Sequence, residues 1–297
     1  MERSERRAAV LTVLTPVVAV LFAGWHFWGH GLSMLDVILG VIMYSITMLG
    51  ITVGYHRLFT HRSFQCVTPI RMALCIAGSM AAQGPVLFWT ACHRRHHQCS
   101  DAVGDPHSPH LHGAGAKGVF VGCLHAHVGW MFYHKPENYI RRVPDLIRDR
   151  KLMALNRYYP WLVAAGVVLP GLVALAITRQ WYAAGTAMLW AGGVRLFLAH
   201  HTTWSINSIC HLFGDSPYAT GDQSRNNGVC AVLTFGEGWH NNHHAFPTSA
   251  RHGLQWWQVD ASYWLIRAMS AVGLAWDVRL PSAAQLESRT VVGSAEA

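Results

Sequence analysis

The chain sorts into long uncharged apolar stretches separated by polar ones that are rich in histidine. Residues 8–28 and 37–55 contain no Asp, Glu, Lys or Arg, and each is close to the ~20 residues that a helix needs to cross a bilayer. The connection between them is short and uncharged, so the pattern predicts a helical hairpin. Residues 160–178 and 181–203 predict a second one, with Arg179 in its turn and Arg195 inside the last span. A mid-span arginine costs about 2.5–3.5 kcal/mol, so Arg195 is predicted to face protein or to snorkel. Residues 72–92 are also uncharged, but Gln83-Gly84-Pro85 interrupts them. Proline removes a backbone donor and glycine weakens a helix, so this stretch reads as two shorter buried or interfacial helices.

Residues 252–276 carry Trp256, Trp257, Tyr263, Trp264 and Trp276 among polar positions. That mixture predicts an interfacial helix. Residues 282–297 are small and polar, which predicts a frayed tail. The apolar run near the start is too long for a signal peptide and is read as an anchor.

Charge fixes the expected sidedness. Three Lys and Arg precede the first span, none lies in the first turn, 13 lie between the hairpins, one lies in the second turn and five follow residue 203. Positive residues stay cytoplasmic, so both termini and the middle segment are predicted inside. The expected architecture is an all-α integral-membrane fold. One domain over 1–281 has four transmembrane helices in two hairpins and a cytoplasmic helical cap from 56–159 and 204–281. Composition agrees: 52% of the 297 residues are hydrophobic and 13% charged, which excludes disorder and disfavours a water-soluble domain. The net charge of +8 forms no stripe and accompanies no nucleic-acid motif. Seven cysteines without a C-x-x-C pair indicate neither a disulfide framework nor a thiolate zinc site.

Histidine changes the picture, with 20 copies in the chain. Eight fall in three groups: His56 and His61; His93, His96 and His97; and His240, His243 and His244. On a helix, positions i, i+3 and i+4 lie at about 0°, −60° and +40°, so each H-x-x-H-H presents all its imidazoles on one face. The i+3 and i+4 rings still diverge by about 100°, which lets one helix address two metal ions and predicts a dinuclear centre. No carboxylate or thiolate partner stands out beside them, so borderline transition metals are favoured over calcium or magnesium. Iron, copper, nickel and zinc all fit that class. Zinc takes four ligands, or three in a reactive site, so a redox iron pair suits the count better. Residues His26, His30, His107, His110, His112, His134 and His252 read as ordinary histidines, and His125, His127, His200 and His201 as possible supports of the ligands.

The phrases Gly50-Ile-Thr-Val-Gly-Tyr-His56-Arg-Leu-Phe-Thr-His61, His93-Arg-Arg-His96-His97, Asp105-Pro-His107, His127-Val-Gly-Trp130, Asn207-Ser-Ile-Cys-His211 and Gly236-Glu-Gly-Trp-His240-Asn-Asn-His243-His244 together resemble the integral-membrane fatty acyl desaturases. The stearoyl-CoA branch, in its bacterial form, is the nearest match. The resemblance implies four spans under a cytoplasmic cap holding two irons, and it adds His211 to the ligands. It assigns His56, His61, His97 and His244 to one iron, with Asn207 reaching it through water. To the other it assigns His93, His96, His211, His240 and His243. It also implies O2-dependent removal of two hydrogens from adjacent methylenes, using two electrons and giving a cis double bond, at the delta-9 position, and water.

The acyl tunnel of that family bends beside the irons at positions matching Gln83, Trp89, Thr203 and Trp204. Tyr44 matches the residue that closes it. Met48 stands where a small residue is common, which predicts a preference for about 16 carbons over 18.

Two departures concern partners. Ala91-Cys92 replaces an Arg-Asp pair near the CoA head group, Gly84 replaces an Asn, and one lysine, Lys135, remains of a basic pair. The acyl carrier is therefore open between CoA, acyl carrier protein and a membrane lipid. No cytochrome b5-like or ferredoxin-like segment is present, so electrons are expected from a separate ferredoxin, rubredoxin or cytochrome b5. A membrane hydroxylase is the nearest alternative. A metal transporter is disfavoured because the clustered ligands lie at span ends and not at midplane.

Overall fold

A computed structural model describes residues 3–133 and 139–291. His134 and Lys135 lie outside the described residues. Among the described residues the fold is helical with one short antiparallel strand pair, β1 (Gln65–Cys66) with β2 (Ala275–Trp276).

Helix α1 runs over Arg3–His30 and α2 over Met34–Thr60. Ser33 caps α2 by accepting from the Asp36 N–H at 3.1 Å, which satisfies one of the free donors of the first turn. Helix α1 exposes Leu11, Leu14, Val18, Leu21, Phe22 and Trp28, the last at 93%. An apolar surface of that extent with no protein partner suits lipid. Helix α2 is buried from Gly50 to Thr60, where it widens into π-helical turns. Helix α3 (Thr68–Ser79) crosses it closely: a methyl group on Gly50 would run into the Gly78 backbone, and one on Gly54 would lie 3.0 Å from the Leu74 carbonyl oxygen.

The interrupted apolar stretch forms α3 and α4 (Val86–Gln98). Ala82 and Gly84 take positive φ between them, and Pro85 precedes the first turn of α4, where its missing N–H costs nothing. The predicted break is present.

Helix α5 covers Gly115–Leu124, α6 Arg150–Arg157 and α7 Tyr159–Thr178. Against the four expected spans, three helices among the described residues are long and apolar enough to cross a membrane: α1, α2 and α7. The fourth stretch is built in pieces. These are α8 (Trp181–Ala187), a π-helical segment over Met188–Val194, and α9 (Arg195–Ser208). Gly192 and Gly193 let it approach Val167 and Ala19. Arg195 faces protein, and its guanidinium donates to the carbonyls of Met80 (2.9 Å), Gly166 (2.7 Å) and Ala191 (3.2 Å).

Helices α10 (Gly228–Leu233), α11 (His240–Ala245) and α12 (Ala261–Ala271) follow. The aromatic stretch is irregular up to Asp260, which caps α12 through the Tyr263 N–H at 2.9 Å. Trp256 is 91% exposed.

Over residues 282–291, the described part of the expected tail, the structure departs from expectation; residues 292–297 lie outside the described residues. Ala283–Arg289 forms α13, started by a reciprocal capping box between Ser282 and Gln285. Arg289 holds it down by donating to the Ala245 carbonyl at 2.7 Å and lying 5.8 Å over the Phe246 ring. A capped turn with two anchors does not fray.

Candidate metal centre

Three helices and one turn deliver nine imidazoles to one place. The last turns of α2 bring His56, and His61 follows directly; α4 brings His93, His96 and His97; a 3-10 turn after α9 brings His211; α11 brings His240, His243 and His244. They fall into two sets: His56, His61, His93, His97 and His243, and His96, His211, His240 and His244. Within each, the ligating atoms lie within 4.8 Å of one another.

This grouping corrects the partition expected above in three places. His93 and His243 belong with His56, and His244 belongs with His96. The reason is helical: i and i+4 differ by about 40°, so His93 pairs with His97 and His240 with His244. Each i+3 ring, His96 or His243, turns to the other set.

The second correction concerns carboxylates. Asp105 lies 3.0 Å from His96 Nδ1, Asp101 2.8 Å from His211 Nδ1 and Asp222 2.6 Å from His244 Nδ1. Glu237 Oε2 lies 2.6 Å from His56 Nδ1. An ionised carboxylate accepts, so each bonded Nδ1 carries the proton and Nε2 is left as a lone pair. Yet His96 Nε2 lies 3.3 Å from His244 Nε2, two lone pairs facing each other. Without a cation between them such an arrangement is repulsive, so the donor set fits a metal.

The electrostatics agree. Burial, followed by neighbouring imidazoles, pushes His61, His93, His97, His240 and His243 well below the usual histidine range. For His97 the neighbours that add most to burial are His244 and His61. Burial takes His244 down to about 4 in spite of Asp222. Neutral imidazoles are ready to ligate. Burial opposes ionisation of the carboxylates, but their imidazole partners prevail: Asp101 falls to about 2, and Asp105, Asp222 and Glu237 fall well below the usual range.

An apolar cavity of about 380 Å³ reaches this centre, with His93, His107 and Asn207 on its wall. Gln83, Trp89, Thr203 and Trp204 line it as well. Gln83 donates to Thr203 Oγ1 at 3.0 Å, and Trp89 stacks on His93 with ring centroids 5.1 Å apart. Tyr44 and Met48 are not on this wall. The Tyr44 hydroxyl donates to the Leu233 carbonyl at 2.7 Å and lies 3.1 Å from Thr202 Oγ1, while Met48 is buried in packing.

The fatty acid desaturase family model matches residues 32–278. The chain belongs to that family. It is 42% identical over 276 residues to a hex-5-enoyl-[acyl-carrier protein] acetylenase of Moorena producens, covering 92% of this chain and 86% of the relative. It is 36% identical over 266 residues to an sn-1 stearoyl-lipid 9-desaturase of Anabaena variabilis, covering 89% and 90%. It is 36% identical over 289 residues to an icosanoyl-CoA 5-desaturase of Limnanthes douglasii, covering 95% and 74%. The desaturase is accordingly an oxidoreductase of lipid metabolism.

Two histidines read as ordinary in the sequence stand beside the centre of this desaturase. The His107 ring lies 4.4 Å from that of His96, and the His252 ring 4.5 Å from that of His243. Their proximity comes from loops, which spacing does not report. The Asp105-Pro-His107 phrase was the available signal for one of them. Of the other histidines, His200 Nε2 donates to the Ala81 carbonyl at 2.8 Å, and His127 pairs with His201 at 2.9 Å. His125 lies 3.3 Å from the Pro106 carbonyl.

Proposed function

We propose that this desaturase inserts a cis double bond into a saturated fatty acyl chain, consuming O2 and two electrons, with one iron ion in each histidine set. Nine imidazoles converging beside an apolar cavity carry the reading. When bound, the iron pair supplies the oxidative power that removes hydrogen from unactivated methylenes. The chain's own residues orient and enclose. Asp101, Asp105 and Asp222 fix the tautomers of His211, His96 and His244, so that Nε2 is presented for ligation. Asn207, on the cavity wall with His93, would add a ligand to the metal through water. Gln83, Thr203, Trp89 and Trp204 hold one C–C pair of the substrate beside His93, which is positioning of the kind that lowers a barrier through entropy. Tyr44 and Met48 stand off this wall, and their closing of the tunnel requires the cavity to extend toward them when the acyl chain enters.

The broken helical run from Trp181 to Ser208 serves as the fourth span, and the positive-inside pattern puts the cap and both termini in the cytoplasm. Delta-9 placement is supported by the relatives from Anabaena variabilis and Synechocystis, both named sn-1 stearoyl-lipid 9-desaturases. The names of relatives include acyl carrier protein, lipid and CoA substrates, so an acyl thioester or a membrane lipid is the substrate class. A separate electron-transfer protein, such as a ferredoxin, rubredoxin or cytochrome b5, supplies the electrons.

The test is the fatty-acid profile, with double bonds located by mass spectrometry, of cells expressing this chain or its His244→Ala variant. A new cis-monounsaturated acid in the first strain alone is expected. A hydroxy acid in its place would replace desaturation by hydroxylation.

A further inference from the structure

The two histidine sets differ in what stands behind them. In the set of His96, His211, His240 and His244, all four rings are buried, and three are hydrogen-bonded to Asp105, Asp101 and Asp222. Those carboxylates are satisfied by neutral groups. Asp101 accepts from Ser108 Oγ and the Gln223 N–H, Asp105 from the Asp101 and His107 N–H groups, and Asp222 from Thr220 and Ser224. Among the described residues no Lys or Arg forms an ion pair with them, so three negative charges face that position.

In the set of His56, His61, His93, His97 and His243, three residues are half-buried, and His93 forms part of the cavity wall. One carboxylate reaches this set, Glu237 at His56, and it is already engaged. The buried Arg57 donates to Glu237 Oε1 at 3.2 Å and to Asp260 Oδ1 at 2.9 Å. His252 Nδ1 lies 3.2 Å from Glu237. Orphaned ring nitrogens occur in both sets, His61 Nε2 and His243 Nδ1 here and His240 Nδ1 in the other, so the difference between the sets lies in their carboxylates.

Carboxylate partners raise the basicity of a ligating imidazole and fix its orientation, and losing one typically weakens metal affinity about 10–100-fold. Uncompensated negative charge adds attraction for a cation in a buried site. Both effects favour the same set. We infer that the two metal positions are built unequal: the His96, His211, His240 and His244 position holds its ion firmly, while the five-imidazole position, its one carboxylate neutralised by Arg57, gives up its ion first. The inference rests on the dinuclear reading above.

The test follows iron release from the purified, iron-loaded full chain in detergent, using a coloured ferrous chelator under anaerobic conditions. Two irons per chain are expected to leave in two steps of equal amplitude. Asp222→Asn should accelerate the slow step about 10–100-fold and leave the fast step within about twofold; Asp101→Asn serves the same purpose if the first variant fails to fold. Glu237→Gln should accelerate the fast step alone. Melting of each variant by tryptophan fluorescence separates a local effect from general loosening, which would speed both steps together. Two irons leaving in one step, or Asp222→Asn acting on the fast step, would overturn the inference while leaving two bound irons intact. Saturation at one iron per chain would overturn the dinuclear reading and the inference with it.

Discussion

Arg57 offers a quantitative test of how the segments around the histidine sets are held together. Its guanidinium is wholly buried and meets Glu237, Asp260, the Ala250 carbonyl at 2.8 Å and His252 Nδ1 at 3.2 Å. The same carboxylates do other work, since Asp260 also accepts from the His252 N–H at 2.7 Å and caps α12. Arg57→Met removes the cation and leaves the Glu237 and Asp260 carboxylates buried without it. Breaking a buried pair from one side costs about 3–5 kcal/mol. At about 2–4 °C per kcal/mol, the expected fall in melting temperature is about 10 °C. The assay is thermal melting of the purified protein in detergent, read by tryptophan fluorescence, beside Arg62→Met. Arg62 pairs with Asp145 at 2.7 Å, but its side chain is 59% exposed, so that loss should stay below about 1 kcal/mol. Arg57→Met combined with Glu237→Gln and Asp260→Asn should recover part of the loss, because a fully neutral cluster no longer buries an unpaired charge. Equal melting of Arg57→Met and Arg62→Met would refute the reasoning.

Three further outcomes follow from the same structure. Gly50→Ala should push α2 from α3 and cost about 1–3 kcal/mol, seen as lower melting and lower iron content, whereas Gly40→Ala, with nothing within 4 Å of the new methyl, should be silent in both. Met48 lies off the cavity wall, so the family-based expectation that Met48→Ala shifts product from about 16 carbons toward 18 in fatty-acid profiles requires the acyl chain to reach it, and an unchanged ratio would remove Met48 from chain-length control. Stripping metal with a chelator should lower the melting temperature and re-addition of iron should restore it, because binding to the folded chain alone stabilises it by mass action; a melting curve indifferent to metal would count against a buried site.

How far the sequence could be read depended on whether geometry was local. The angular relation within each H-x-x-H-H is a property of one helix, so a division of the imidazoles into two sets was predictable from His93 to His97 and from His240 to His244 alone. Which ring goes to which position was not, because the family-based partition separated His93 from His97 where their shared face keeps them together. His211 sits alone on a short turn, with no repeat to mark it. Asp101, Asp222 and Glu237 arrive from loops, at 110, 22 and 181 residues from the histidines they back, so no spacing rule finds them. The apolar runs gave α1, α2 and α7 directly. The last run was harder, because π-helical widening around Gly192 and Gly193 divides it. The terminal helix was missed because small polar residues favour coil unless anchored, and its anchors, Ala245 and Phe246, are distant in sequence.

The central claim is most directly tested by isotope tracing with the purified, iron-loaded protein, a reduced electron donor, a saturated acyl substrate and 18O2. Desaturation predicts a cis-unsaturated acyl product free of 18O, with the label recovered in water and two irons bound per chain. An 18O-labelled alcohol, or turnover that persists without bound iron, would contradict the account.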